Sequence, residues 1–134
     1  MGGIELKLLL DTHIWLWYLQ GNNRLSENLQ ELMSASDTEL WLSPISVWET
    51  LILAEKGRIE LDSEPIVWVK KYLRSLDFKE ARLTYEISMR SRQLELSHQD
   101  PADRFIAATA VELDLTLATM DRRLVSLNWL LTIS

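Results

Sequence analysis

The run Leu6 to Leu10, LKLLL, stops abruptly on Asp11. A short, nearly continuous apolar run suits a strand covered on both faces, as in a parallel sheet sandwiched by helices. A second run, LTLAT over Leu115 to Thr119, is followed one residue later by Asp121. Two apolar strands that each release an acid at the carboxyl end restrict the fold more than any other feature. In an open parallel sheet both acids fall on the same edge, where ligands bind.

The intervening chain alternates between strand and helix patterns. A helix is expected from Thr12 to about Leu19, closed by Gly21 and Asn22, and another from the Ser26 cap to about Ala35. Glu39 to Ser43 reads as a strand, and Pro44 opens a helix that ends at Gly57. After the turn and short extended piece RIELD, Pro65 to Leu73 reads as helix, Ser75 to Phe78 as strand and Glu80 to Arg92 as helix. Asp100 caps a helix over Pro101 to Leu113. A short turn or helix over Asp121 to Leu124 and a last strand over Leu130 to Ile133 follow. The expected fold class is α/β: a three-layer α/β/α sandwich around a central, mostly parallel sheet with right-handed crossovers.

Composition fits this. The chain has 134 residues, 47% apolar and 25% charged, so one compact domain over residues 1–134 is expected. It has no cysteine, which excludes a disulfide framework and thiolate metal sites and agrees with a reducing cytoplasm, the expected location. The stretch KLLLDTHIWLWYL is too short and too polar to span a membrane, and no signal peptide or myristoylation pattern is expected. The net charge of −6 argues against a nucleic-acid binder, unless clustered carboxylates hold cations that reverse the local field.

Four acids stand out among the twenty Asp and Glu residues. Asp11 and Asp121 lie at strand ends, although each also fits a helix or turn cap. Glu49 interrupts the apolar stretch VWETLILA, with Ile45, Ser46, Ile52 and Leu53 on its helical face. A carboxylate there is costly without a cation, a metal or an outlet to water. Asp103 stands one turn after Asp100. Capping explains Asp100 better than Asp103, and both can reach one pocket. Oxygen donors without cysteine or paired histidines suit Mg²⁺ or Mn²⁺, ions that serve phosphoryl-transfer chemistry. Such converging carboxylates repel one another, so the site is expected to be loose without metal.

These residues resemble the PIN-domain family, and within it the VapC-type toxins of bacterial toxin–antitoxin pairs. LLLDTHIWLW resembles the family's first strand, with Asp11. SPISVWETLILAEKGRIEL resembles the segment carrying Glu49, HQDPADRFIAATA the third-acid helix with Asp103, and LTLATMDRRL the fourth-acid segment with Asp121. The four occur in order along almost the whole chain. The resemblance implies a Rossmann-like sheet, Mg²⁺ or Mn²⁺ held by Asp11, Glu49, Asp103 and Asp121, with Asp100 as a further candidate ligand. It also implies RNA cleavage, a homodimer and a small antitoxin partner.

Thr12 and Thr119 are the candidates to orient the acids, and Arg104, Arg122 and Arg123 the candidates to contact phosphate. Surface or salt-bridging roles compete for these arginines. His13 and His98 are assigned to structure or surface. Of Trp15 and Trp17, one is expected in the core and one toward a partner, and Trp48 is expected to pack beside Glu49. Three rivals stand beside this reading: a phosphoacceptor receiver domain, a catalytically silent PIN-like binding module, and a nuclease acting on structured DNA. The receiver lacks its acid pair, since Asp11 stands alone.

Overall fold

The structure, a computed structural model, describes residues 3–97 and 99–134, so His98 lies outside the described residues. The chain alternates as its sequence pattern requires. Strand β1 (Leu6–Leu10) leads to α1 (Thr12–Gln20) and α2 (Glu27–Ser34). Strand β2 (Thr38–Leu42) leads to α3 (Pro44–Glu55) and α4 (Pro65–Ser75), and β3 (Phe78–Glu80) to α5 (Tyr85–Gln93) and α6 (Pro101–Glu112). The chain ends with β4 (Thr116–Ala118), α7 (Arg122–Val125) and β5 (Thr132–Ile133).

The sheet has the order β3-β2-β1-β4-β5, and every pairing is parallel. The chain builds outward from β1 through β2 to β3, then crosses back to lay β4 on the other side of β1. The switch in direction therefore lies between β1 and β4, where an open parallel sheet leaves a crevice at its carboxyl edge. The two strands stay joined to that edge, because the Asp11 amide donates to the Ala118 carbonyl at 3.0 Å.

Leu8, Leu9 and Leu10 are all fully buried, which explains the unbroken apolar run. Leu8 and Leu10 enter one core with Ile14, Trp15 and Leu16 of α1, Leu29 and Met33 of α2, and Trp68 and Val69 of α4. Leu9 enters the other with Ile106, Ala107 and Ala110 of α6 and Leu124 of α7. Successive strand residues thus serve opposite layers. Helix α3 borders both cores, through Val47, Leu51 and Leu53 on one side and Ile45 on the other.

Two expected elements are corrected. The third strand is Phe78–Glu80 rather than Ser75 to Phe78, because α4 continues to Ser75 and Phe78 pairs with Leu40. The following helix starts at Tyr85 rather than Glu80. Glu80 belongs to the strand, the Ala81 amide extends the ladder to the Leu42 carbonyl at 2.9 Å, and Thr84 is the helix cap. The exposed, polar edge strand gives sequence periodicity little to register. The region 56–64 forms turns and bends, with no strand at the short extended piece read in RIELD. Among the described residues, no helix is long and apolar enough to cross a membrane.

Candidate metal centre and active site

Asp11, Glu49, Asp100, Asp103 and Asp121 line one cavity of about 380 Å³ at the carboxyl edge of the sheet. They arrive from the ends of β1 and β4 and from α3 and α6. Capping and site roles prove compatible. Asp11 caps α1 by accepting from the Thr12 amide at 2.9 Å, and its other oxygen accepts from the Thr119 hydroxyl at 2.8 Å. Asp121 caps α7 by accepting from the Arg123 amide at 2.9 Å. Asp100 caps α6, accepting from the Ala102 and Asp103 amides at 3.0 and 3.3 Å. Three helix amino termini therefore aim their acids at one space.

Asp103 and Glu49 reach the cavity from within their helices. Asp103 is nearly buried, at 8% exposure, and Glu49 is half-buried. Burial is the main reason that Asp11, Glu49 and Asp103 are all held above the ordinary carboxyl range. The charges of neighbouring acids add to this, and Asp103 is pushed up to about 7. For Asp11, hydrogen bonds from Thr119 and Thr12 work in the opposite direction, and for Glu49 so does Thr12. Thr12 and Thr119 both donate to the Asp11 carboxylate, Thr12 through its amide and Thr119 through its hydroxyl. The Thr119 hydroxyl also accepts from the Asp121 amide at 3.1 Å, linking two acids through one side chain.

The arginines separate into three roles. Arg123 donates to Asp121 at 2.9 Å and spans to Asp103 at 3.4 Å, inside the cavity. Arg122 is exposed on α7 and does not line that cavity. Arg104 is a correction to the expected set of phosphate contacts. It is buried, and its guanidinium donates to the carbonyls of Ser91, Leu94 and Leu96 at 2.9, 3.1 and 2.9 Å. Its place one residue after Asp103 turns it about 100° round α6 onto a different face, where it fastens the end of α5.

Sequence reasoning missed one neighbour of the acids and placed another on the face of Glu49 without giving it a role. Arg24, in the loop after α1, lines the cavity, and no local pattern places it there. Ser46, one helical turn before Glu49, has its hydroxyl 3.0 Å from that of Thr12 in a buried contact. A buried serine on the face of Glu49 was the available signal. His13 is an exposed group at the cavity, as its surface assignment required. Trp15 is fully buried, while Trp17 is half-buried and lines the cavity. Trp48 does not pack beside Glu49 in the interior. It is 52% exposed, because α3 turns that face away from both cores.

The donor set fits a hard divalent cation, being oxygen-only and destabilised by its own crowded charge. Among the described residues, no three acidic or imidazole groups are already drawn together tightly enough to hold an ion. Arg123 bridges two of the acids, Asp103 and Asp121.

Comparison with known proteins agrees with this architecture. The sequence profile of the PIN domain matches residues 8–130. Ribonuclease VapC22 of Mycobacterium tuberculosis is 34% identical over 118 residues, covering 87% of this chain and 88% of that protein. The fold is shared with VapBC2 of Rickettsia felis bound to a promoter DNA fragment, at a TM-score of 0.69 and 15% identity over 96% of this chain and 98% of that one. It is also shared with DNA-bound VapBC of Salmonella typhimurium, at a TM-score of 0.67 and 20% identity over 96% and 97% of the two chains. With a profile match over nearly its whole length and a relative of this identity, the chain belongs to the PIN-domain family.

Proposed function

We propose that this chain is a divalent-cation-dependent endoribonuclease and the toxin of a toxin–antitoxin pair, with Asp11, Glu49, Asp103 and Asp121 holding Mg²⁺ or Mn²⁺. The observation that carries this reading is the convergence of four acids from separate elements on one cavity at the switch point of a parallel sheet. The name of its M. tuberculosis relative supplies the substrate class, RNA. When bound, the cation would polarise the phosphate, lower the pKa of a water and stabilise the leaving oxygen.

The residues of the chain have defined tasks in this scheme. Thr12 and Thr119 hold the Asp11 carboxylate in one orientation. Asp100 secures the start of α6 and so the position of Asp103, and it stands at the cavity as a further oxygen donor. Arg123 neutralises Asp103 and Asp121 and is the guanidinium best placed to meet a substrate phosphate. Arg122, exposed on the same helix, can add a more peripheral phosphate contact. Hydrolysis places the hydroxyl of water on phosphorus and its proton on the departing 3′ oxygen, giving 5′-phosphate and 3′-hydroxyl ends.

A small antitoxin protein is the proposed partner, supported by the VapBC assemblies that share the fold. A homodimer is proposed as well. Exposed Trp48 on α3, and Tyr85 and Met89 on α5, supply the apolar surface that such partners cover. Action in the cytoplasm is part of the same proposal.

The test is incubation of the purified chain with end-labelled RNA and Mn²⁺, with and without chelator. Internal cleavage that the chelator abolishes, with 5′-phosphate ends, is expected. Cleavage that continues in chelator, or yields cyclic phosphate ends, contradicts the reading.

A further inference from the structure

The cavity has two unlike walls. One is acidic. The other is built from α1 and its closing loop: His13, Trp17 and Arg24. His13 and Trp17 are four residues apart and share a helix face, with ring centroids 5.9 Å apart and planes tilted by 52°. The helix begins at Asp11, so one element runs from the acid cluster to the aromatic pair. Trp17 lies about 9 Å along the axis from Asp11 at 1.5 Å per residue, within the reach of one nucleotide.

The aromatic wall is held in place. Trp17 also packs against the core beneath α1. Its carbonyl accepts from the Asn22 amide at 2.9 Å, in a turn that depends on Gly21 at φ 61°. The Asn22 side-chain oxygen in turn accepts from the Arg24 amide at 2.9 Å. Two hydrogen bonds thus join the tryptophan to the arginine across the loop. An aromatic face, a guanidinium and a nearby hydrolytic centre form a combination that binds a base and its phosphate.

We infer that His13, Trp17 and Arg24 form a subsite that takes one unstacked nucleotide next to the scissile phosphate. The base stacks on Trp17 beside His13, and Arg24 meets a neighbouring phosphate. The cavity of about 380 Å³ is near the low end of ligand-site sizes, roughly 300–1,000 Å³, enough for one splayed nucleotide. A base held in a duplex stack cannot present its face to Trp17. This inference rests on the ribonuclease reading.

The test measures binding to a chain silenced by Asp103→Asn, using fluorescent oligouridylate, the same strand with abasic positions, and an RNA duplex. Trp17→Leu is expected to weaken binding of the single strand about 10-fold to 100-fold, while Trp17→Phe retains most of it. Abasic RNA and duplex are expected to bind more weakly than the intact strand. Arg24→Gln, in an exposed loop, is expected to lower the salt slope of binding by about one. In the active chain, Trp17→Leu is expected to raise KM more than it lowers kcat. Near-ultraviolet circular dichroism of each variant identifies loss of fold, and Arg24→Gln tests the subsite separately from any such loss.

Equal affinity of the wild type for intact and abasic strands overturns the subsite. So does RNA affinity unchanged in both Trp17→Leu and Arg24→Gln, which leaves this wall to a protein partner. Either result leaves the ribonuclease reading intact if the wild type still cuts. A wild type that cuts no RNA, with no RNA bound by the silenced chain, overturns both.

Discussion

Asp103 is the residue at which burial, charge and capping meet. Its carboxyl is pushed from the ordinary 3.8 to about 7, first by burial and then by Asp11, Asp100 and Asp121, with Arg123 opposing. The folded chain therefore binds its proton more tightly than the unfolded chain does. Between about pH 4 and pH 7 the metal-free protein is expected to lose stability as pH rises, because deprotonation costs more in the folded state. A thermal unfolding series across that range checks this, and Asp103→Asn should flatten the slope. A bound cation reverses the preference, so Mn²⁺ affinity is expected to rise with pH through the same range, as calorimetry can follow. Thr119 works through its neighbours, donating to Asp11 and accepting from Asp121. Thr119→Val is expected to reduce Mn²⁺ affinity or RNA cleavage by about 10-fold to 100-fold with little change in fold.

Helix α6 does two tasks with adjacent residues. Asp103 faces the cavity, while Arg104 is buried on another face and fastens the chain that leaves α5. Arg104→Ala leaves three carbonyls without their charged donor and is expected to cost on the order of 3 kcal/mol. A lower denaturant midpoint at unchanged slope measures it. Sequence could not separate these neighbours, because an arginine beside an acid reads equally as a ligand contact or a clamp. The elements near the site were more legible. Asp11, Ser26, Pro44 and Asp100 mark their helix starts through capping chemistry that depends on adjacent residues. The start of α5 was obscured because Glu80 and Ala81 are fixed by pairing with β2, a long-range contact.

At the scale of the whole molecule, the order β3-β2-β1-β4-β5 brings residues 11, 49, 103 and 121 to one cavity. The apolar runs ending at Asp11 and near Asp121 made the edge legible, and Glu49 was legible as a carboxylate amid apolar neighbours. The turn at Gly21 and Asn22 was legible too, but the arrival of Arg24 and Trp17 at the acid cavity was not, because it follows from how α1 docks on the sheet. The net charge of −6 also gains a local meaning, since part of it is concentrated where a cation is proposed. Mn²⁺ is expected to raise the melting temperature in a concentration-dependent manner, because a ligand specific for the folded state stabilises it by mass action. A melting temperature indifferent to Mn²⁺ up to millimolar concentration would count against a folded-state cation site.

The most direct measurement compares Asp103→Asn with Asp100→Asn in cleavage of end-labelled RNA with Mn²⁺. Asparagine is as good a helix cap as aspartate, so Asp100→Asn preserves the start of α6. Asp103→Asn removes a carboxylate from the cavity with almost no change in shape. Loss of cleavage in Asp103→Asn, with substantial cleavage retained in Asp100→Asn, is the expected result. Wild-type cleavage by Asp103→Asn would contradict the assignment of Asp103 to the cation and the chemistry.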